Sequence, residues 1–181
     1  MLTITEKAGT PICIEDDLLD EDTLFELQIY MRNMNNGTEP VLKDNIFYQP
    51  LMKIFKDHVY HHRFLLKDRV QNKRSELSDE IDDCVFQIFL RSMGERDSKP
   101  HRDNSWKILS SIMYVGPDKS IGTIFLDSET SEEPHEVEWK PNRIVSMIPS
   151  KTSWHTYKNY GIIDRHTVQF ILANKENYKE Y

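Results

Sequence analysis

Lys99-Pro100-His101-Arg102-Asp103-Asn104-Ser105-Trp106, running into the apolar stretch 107–115, holds the side chains around which the strand-like half of this chain is arranged. A His and an Asp two residues apart, at the mouth of a strand, project to one face, because strand side chains alternate with period two. Both are metal-ligating residue types. A third ligand must come from elsewhere, and Trp154-His155-Thr156 offers a histidine fifty-two residues past Asp103. Ten residues beyond His155, Arg165 opens another strand-like run, His166-Thr167-Val168-Gln169-Phe170-Ile171-Leu172. Two His and one carboxylate with open positions form the ligand set of mononuclear non-haem iron sites. A guanidinium further along suits a carboxylate cosubstrate.

The whole chain sets the limits. Its 181 residues fit one domain with a real core. A net charge of -7 argues against a general nucleic-acid binder, which would normally be basic. Cys13 and Cys84 lie in apolar runs and read as reduced core residues, which points to a cytoplasmic, intracellular protein. No basic segment leads into an apolar stretch at the N-terminus, and no apolar run approaches the ~18 residues that span a bilayer.

Residues 1–10 read as a frayed or edge segment, and 10–15 as a short strand. A helix is predicted from Asp20, with acidic residues in its first turn and Leu24, Leu27, Ile29, Tyr30, Met31 and Met34 on its apolar side. Asn35-Asn36-Gly37 stops it, and 38–44 is expected as loop. A second helix is predicted over 45–66, burying Ile46, Phe47, Leu51, Ile54, Phe55, Val59 and Phe64, with Pro50 near its start. Residues 53–74 carry seven Lys/Arg against two Asp, plus His58, His61 and His62. That basic patch reads first as a solvated helix face, and alternatively as a dock for an acidic partner or substrate.

Residues 71–83 read as a loop or short helix. Strands are then predicted at 84–91, 105–115, 122–126, 136–139, 143–148, 154–157 and 165–173, separated by turns rich in Gly, Pro, Asn, Asp and Ser. Helices first, then short strands at regular spacing, give an α+β, mostly β chain. The expected core is a double-stranded β-helix, or jelly roll, with N-terminal helices on one sheet. It is expected as a single domain over 1–181, helical in 1–83 and jelly roll in 84–174.

Over residues 10–174 the chain resembles the iron(II)- and 2-oxoglutarate-dependent dioxygenases, in their compact prolyl 4-hydroxylase-like branch. The matching residues are His101-Arg102-Asp103-Asn104, the strand 108–114, Gly122-Thr123-Ile124-Phe125, Lys140-Pro141-Asn142-Arg143, Trp154-His155 and Arg165-His166-Thr167. The resemblance implies that His101, Asp103 and His155 bind Fe(II) and that 2-oxoglutarate chelates the metal. Arg165 would pair with the far carboxylate, with Thr167 and Tyr114 beside it. Arg91 stands where relatives often carry a tyrosine, as a second anchor or a reach toward substrate. The implied reaction consumes O2 and hydroxylates an unactivated C–H bond, with ascorbate as an accessory reductant. The carboxylate of Asp103 favours hydroxylation over halogenation. A prolyl residue of a peptide or protein is the implied substrate, ahead of a small molecule.

Competing readings stand beside these. His101 and Asp103 would also make a turn-stabilising pair, and His155 a core histidine beside Trp154. Arg165 reads also as a strand-edge charge, Arg91 as solvated, and Tyr114 and Thr167 as barrel filler. His135 and His166 read as structural or exposed. Trp106, Trp139 and Trp154 read as core before substrate contacts. Two rival functions follow: a non-catalytic jelly-roll binding module, and a nucleic-acid demethylase using the basic patch.

Overall fold

Alternating side chains demand two environments for every strand, and the chain supplies them as two antiparallel sheets with helices against one. The computed structural model describes residues 2–69, 84–94, 98–104, 106–158 and 165–174. The elements are β1 (Leu2–Lys7), β2 (Thr10–Asp16), α1 (Glu21–Arg32), β3 (Gly37–Pro40), α2 (Tyr48–Arg69), β4 (Cys84–Met93), β5 (Lys107–Gly116), β6 (Ile124–Leu126), β7 (His135–Glu136), β8 (Arg143–Met147), β9 (Trp154–Thr156) and β10 (Arg165–Asn174). The larger sheet runs β1-β2-β8-β5-β10-β4-β3, and the smaller runs β7-β6-β9. This is the mostly β, jelly-roll architecture expected from the strand spacing.

Helix α1 begins where the acidic turn predicts. Asp20 caps it, accepting from the Thr23 N–H at 2.8 Å. Helix α2 carries Pro50 in its first turn, where a missing N–H costs nothing. Leu27 and Met31 of α1 and Leu51, Phe55 and Val59 of α2 pack on Leu90, Met113, Phe170 and Leu172. Fully burying one such side chain contributes about 1.5–3 kcal/mol. The other face of the same strands builds a second apolar cluster containing Tyr114, Phe125, Val137, Trp139, Val145 and Met147. The period-two rule is visible along β10: Val168, Phe170 and Leu172 go to the helices, and Arg165 and Thr167 lie at alternate positions from them. Both cysteines are free; burial, with help from the Glu15 charge, pushes the Cys13 thiol up to about 12.

Several expectations need correction. Residues 37–40 are not loop but strand β3, an exposed edge paired with β4; Pro40 is tolerated there because an edge leaves an N–H position facing solvent. The strand expected at 136–139 is only His135–Glu136, after which Val137 and Trp139 turn into the core. Ile46 is 74% exposed, since the chain is still in the turn before α2. His58 is not on a solvated face: it is 1% exposed. It falls one turn from Phe55 and two turns from Leu51 in helical phase, so it points at the sheet. Its Nδ1 lies 2.6 Å from Glu15 and its Nε2 2.7 Å from Ser146 Oγ. Of the two readings of His166, structural or exposed, burial favours the structural one, on the face opposite Arg165 by strand alternation. The expectations for 71–83, the turn 159–164, and the side chains of His61, His62 and Phe64 lie outside the described residues and side chains.

The approach to β6 passes against backbone. A Cβ added to Gly122 would lie 1.6 Å from the Val137 carbonyl oxygen, a position no neighbour can yield without moving main chain. Gly122→Ala should therefore destabilise the fold by about 2 kcal/mol or more, read as a drop in the urea midpoint with unchanged slope.

Candidate metal centre

Backbone pairing brings the three suspected ligands together. His101 and His155 form a two-bond antiparallel bridge, His101 N–H to His155 O at 3.0 Å and His155 N–H to His101 O at 2.9 Å. Their ring centroids are 4.4 Å apart. Asp103 joins them, and one ligand atom from each of His101, Asp103 and His155 lies within 4.8 Å of the others. Ligand bonds of about 2.0–2.2 Å span that gap after small side-chain adjustments.

The rings are pre-set for the task. His101 Nδ1 faces the Lys99 carbonyl at 2.9 Å and His155 Nδ1 faces the Ser153 carbonyl at 3.1 Å. A carbonyl only accepts, so each Nδ1 carries the proton and each Nε2 keeps its lone pair for a metal. Burial drives the His155 pKa down to about 4; Asp103 opposes this and His101 adds to it. The ring is therefore neutral at neutral pH. Burial works to raise the Asp103 carboxyl, but the Lys107 charge, His155 and side-chain hydrogen bonds outweigh it and hold the pKa below the ordinary range. Asp103 Oδ2 is nonetheless buried without a hydrogen-bond partner. An ionised carboxylate with an orphaned oxygen, a neutral His155 and the adjacent His101 ring together fit a divalent cation. His101 is exposed while His155 is buried, so the cluster opens to solvent on the His101 side.

Arg165 occupies the interior between the sheets. It is buried, at 3% exposure. Its guanidinium carbon lies 4.4 Å from the Tyr157 ring centroid, 5.4 Å from Trp139 and 5.6 Å from Tyr114. Nε donates to the Ile121 carbonyl at 3.3 Å, and Nη2 has no partner. No carboxylate of the described residues pairs with it. Burial pulls its pKa down to about 10, with Tyr114 and Tyr157 opposing and Arg91 adding to the fall. It remains a cation at neutral pH, desolvated and without an anion.

Sheet register aligns the other suspected residues. Thr167 lies opposite Tyr114 on one side and Arg91 on the other. Arg91 also has a buried Nε with no partner. Tyr114 is fully buried and stacks on Trp139 at 4.5 Å. Its hydroxyl accepts from the Thr123 N–H at 2.7 Å and donates to Thr123 Oγ1 at 3.0 Å. Phe125 connects the two regions: it sits in the apolar cluster with Tyr114 and Trp139, and its ring is 6.3 Å from His155.

Sequence reading missed Lys107 and Tyr157; Trp139 is core, as expected. Lys107 lies four residues after Asp103 and ion-pairs with it at 2.5 Å; a lysine opening a buried strand was the available signal. Trp154 faces outward, with the Arg102 guanidinium 4.6 Å above its ring. Arg102 falls between two ligands and Trp154 precedes the third, so this stack ties the ligand-bearing segments together from outside.

No family model matches this chain, and no curated protein matches it. Solved structures do. The viral collagen prolyl hydroxylase of Paramecium bursaria Chlorella virus-1 matches with a TM-score of 0.65 at 7% identity, covering 90% of this chain and 89% of that one. A Trichoplax adhaerens prolyl hydroxylase, in complex with a hypoxia-inducible-factor oxygen-degradation-domain peptide, matches at 0.64 and 12% identity over 91% and 84%. A Pseudomonas putida prolyl 4-hydroxylase matches at 0.60 and 12% identity over 93% and 95%. The chain thus has the double-stranded β-helix fold of the 2-oxoglutarate and iron(II) oxygenases, in its prolyl 4-hydroxylase-like form.

Proposed function

We propose that this chain is an Fe(II)- and 2-oxoglutarate-dependent dioxygenase that hydroxylates an unactivated C–H bond, in one domain over 1–181. The observation that carries the proposal is a convergent His101, Asp103 and His155 cluster in a barrel that also buries a guanidinium with no carboxylate partner among the described residues. Either feature alone has a structural explanation. Together they ask for a divalent cation and a carboxylate within one barrel.

The roles follow from the chain's own groups. His101 and His155 would hold the metal through Nε2 and Asp103 through Oδ2. Arg165 would take the far carboxylate of 2-oxoglutarate in a desolvated, directional pair. Its aromatic surround of Tyr114, Trp139 and Tyr157 excludes water from that pair and holds the guanidinium plane. Thr167 would add a hydroxyl donor and Arg91 a second positive charge. When bound, iron, 2-oxoglutarate and O2 supply the oxidising power, with succinate and CO2 released and ascorbate as an accessory reductant. The open His101 side is where substrate would approach.

A prolyl residue in a peptide or protein is the favoured substrate, supported by prolyl hydroxylases being structural neighbours, one of them with a peptide bound. No helix among the described residues is long and apolar enough to cross a membrane.

Anaerobic addition of Fe(II) and 2-oxoglutarate should give a weak visible charge-transfer band that His101→Ala abolishes. A folded protein with no band would favour the binding-module reading. Arg165→Ala should raise the 2-oxoglutarate requirement by about 100-fold or more, because the buried carboxylate loses its partner. Co(II) affinity should barely change; equal loss of both would make Arg165 structural. Succinate release in the presence of proline-rich peptides should exceed that with methylated oligonucleotides, and the reverse order would assign the nucleic-acid reading.

A further inference from the structure

Lysine is seldom buried unless paired. Lys107 is buried, and its partner is the carboxylate of the metal cluster. The Lys107 and Asp103 side chains are 9% and 7% exposed, and Nζ lies 2.5 Å from Oδ1. The second oxygen, Oδ2, is buried with no partner. We propose that Lys107 is a positioning residue that holds Asp103 to a metal through Oδ2 alone; this rests on the metal reading above.

A free carboxylate can turn both oxygens toward a cation or swing away from it. Here one oxygen is tied down by an ammonium whose own backbone is fixed. The Lys107 N–H donates to the Asn104 carbonyl at 3.1 Å, closing the turn that brings position 107 back over position 103. On the other side Lys107 is in register with Ala173 of β10. The ammonium therefore enters from the sheet and not from solvent, and it leaves Asp103 one oxygen to offer.

The electrostatic alternative predicts the opposite sign. A positive charge beside a cation site repels the cation, so by Coulomb's law its removal should tighten metal binding. An ammonium that occupied the cation's own place would act in the same direction. If Lys107 instead orients the ligand, its removal should weaken binding, as loss of partners behind metal ligands typically does by about 10–100-fold.

Co(II) titration of the full chain separates the two. Lys107→Met should bind Co(II) about 10–100-fold more weakly than wild type. Its visible Co(II) bands should lose intensity as the carboxylate turns bidentate and coordination rises. Lys107→Arg, which keeps the cation, should restore most of the affinity and the band shape. Lys107→Gln carries the same comparison should the methionine variant not fold, judged by its thermal melt. Lys107→Met or Lys107→Gln binding Co(II) as tightly as wild type or more so would overturn the inference, as would Lys107→Arg behaving no better than Lys107→Met. Wild-type protein that binds no Co(II) would instead overturn the metal reading itself, and this inference with it.

Discussion

The reciprocal backbone bridge between His101 and His155 is the constraint on which the rest depends. It joins two segments fifty-four residues apart with bonds of 3.0 and 2.9 Å. A one-residue slip would send one imidazole to the opposite face. The bridge is guarded on both sides. Inside, the rings approach to 4.4 Å. Outside, Arg102 stacks on Trp154, and nearby the Ser98 N–H donates to the Tyr157 carbonyl at 3.1 Å. Both imidazoles are thus held by paired backbone, which positions side chains more rigidly than a loop does.

Arg165 shows what it costs the fold to bury a cation beside aromatic rings and one carbonyl. Desolvating an ion costs several kcal/mol in a protein interior. Three aromatic faces return about 0.5–2 kcal/mol each, and one carbonyl bond a little more. An aspartate in reach would have settled the charge, but it would also have filled the space an anion needs. Arg91 deepens the deficit, since its charge adds to the fall of the Arg165 pKa. The protein tolerates this because the helix-facing side of the sheet carries the large apolar core. A protein that bound no anion here would gain stability by replacing either arginine with an apolar side chain.

Where local pattern determines structure, the sequence was enough. Period two placed Arg165 with Thr167 on β10, and the Asp20 cap marked the start of α1; His101 and Asp103 also come together, but through the bridge to His155 and an irregular segment ahead of β5 and not through strand alternation. Where tertiary contact determines structure, it was not. Strand β3 has no apolar alternation and exists because β4 offers an edge. His58 was masked by the Lys and Arg around it, although helical phase put it beside Phe55. Lys107 reads as a boundary charge until the turn at Asn104 is known. The ring of Tyr114, Trp139 and Tyr157 about Arg165 draws on three separate segments that no spacing links.

Polar groups on the two faces of the larger sheet separate structure from function. Beneath α2, Glu15, His58, Ser146 and Ser111 form a chain with links of 2.6, 2.7 and 2.7 Å. Acid, imidazole and hydroxyl in that order resemble a nucleophilic relay. But His58, Ser111 and Ser146 are buried under a helix, and both nitrogens of His58 are engaged. A nucleophile must reach a substrate; this hydroxyl reaches only its neighbours. The network docks α2 on β2 and β8, and satisfied polar groups of this kind specify packing. In the barrel interior the pattern is reversed. Arg165 Nη2, Arg91 Nε and Asp103 Oδ2 are buried without partners. A buried group left unsatisfied costs about 1–3 kcal/mol, more when charged. Such a cost survives in a folded protein when a ligand removes it, and the signs of these groups, two cations and an anion, are those that the proposed anionic cosubstrate and metal cation would satisfy.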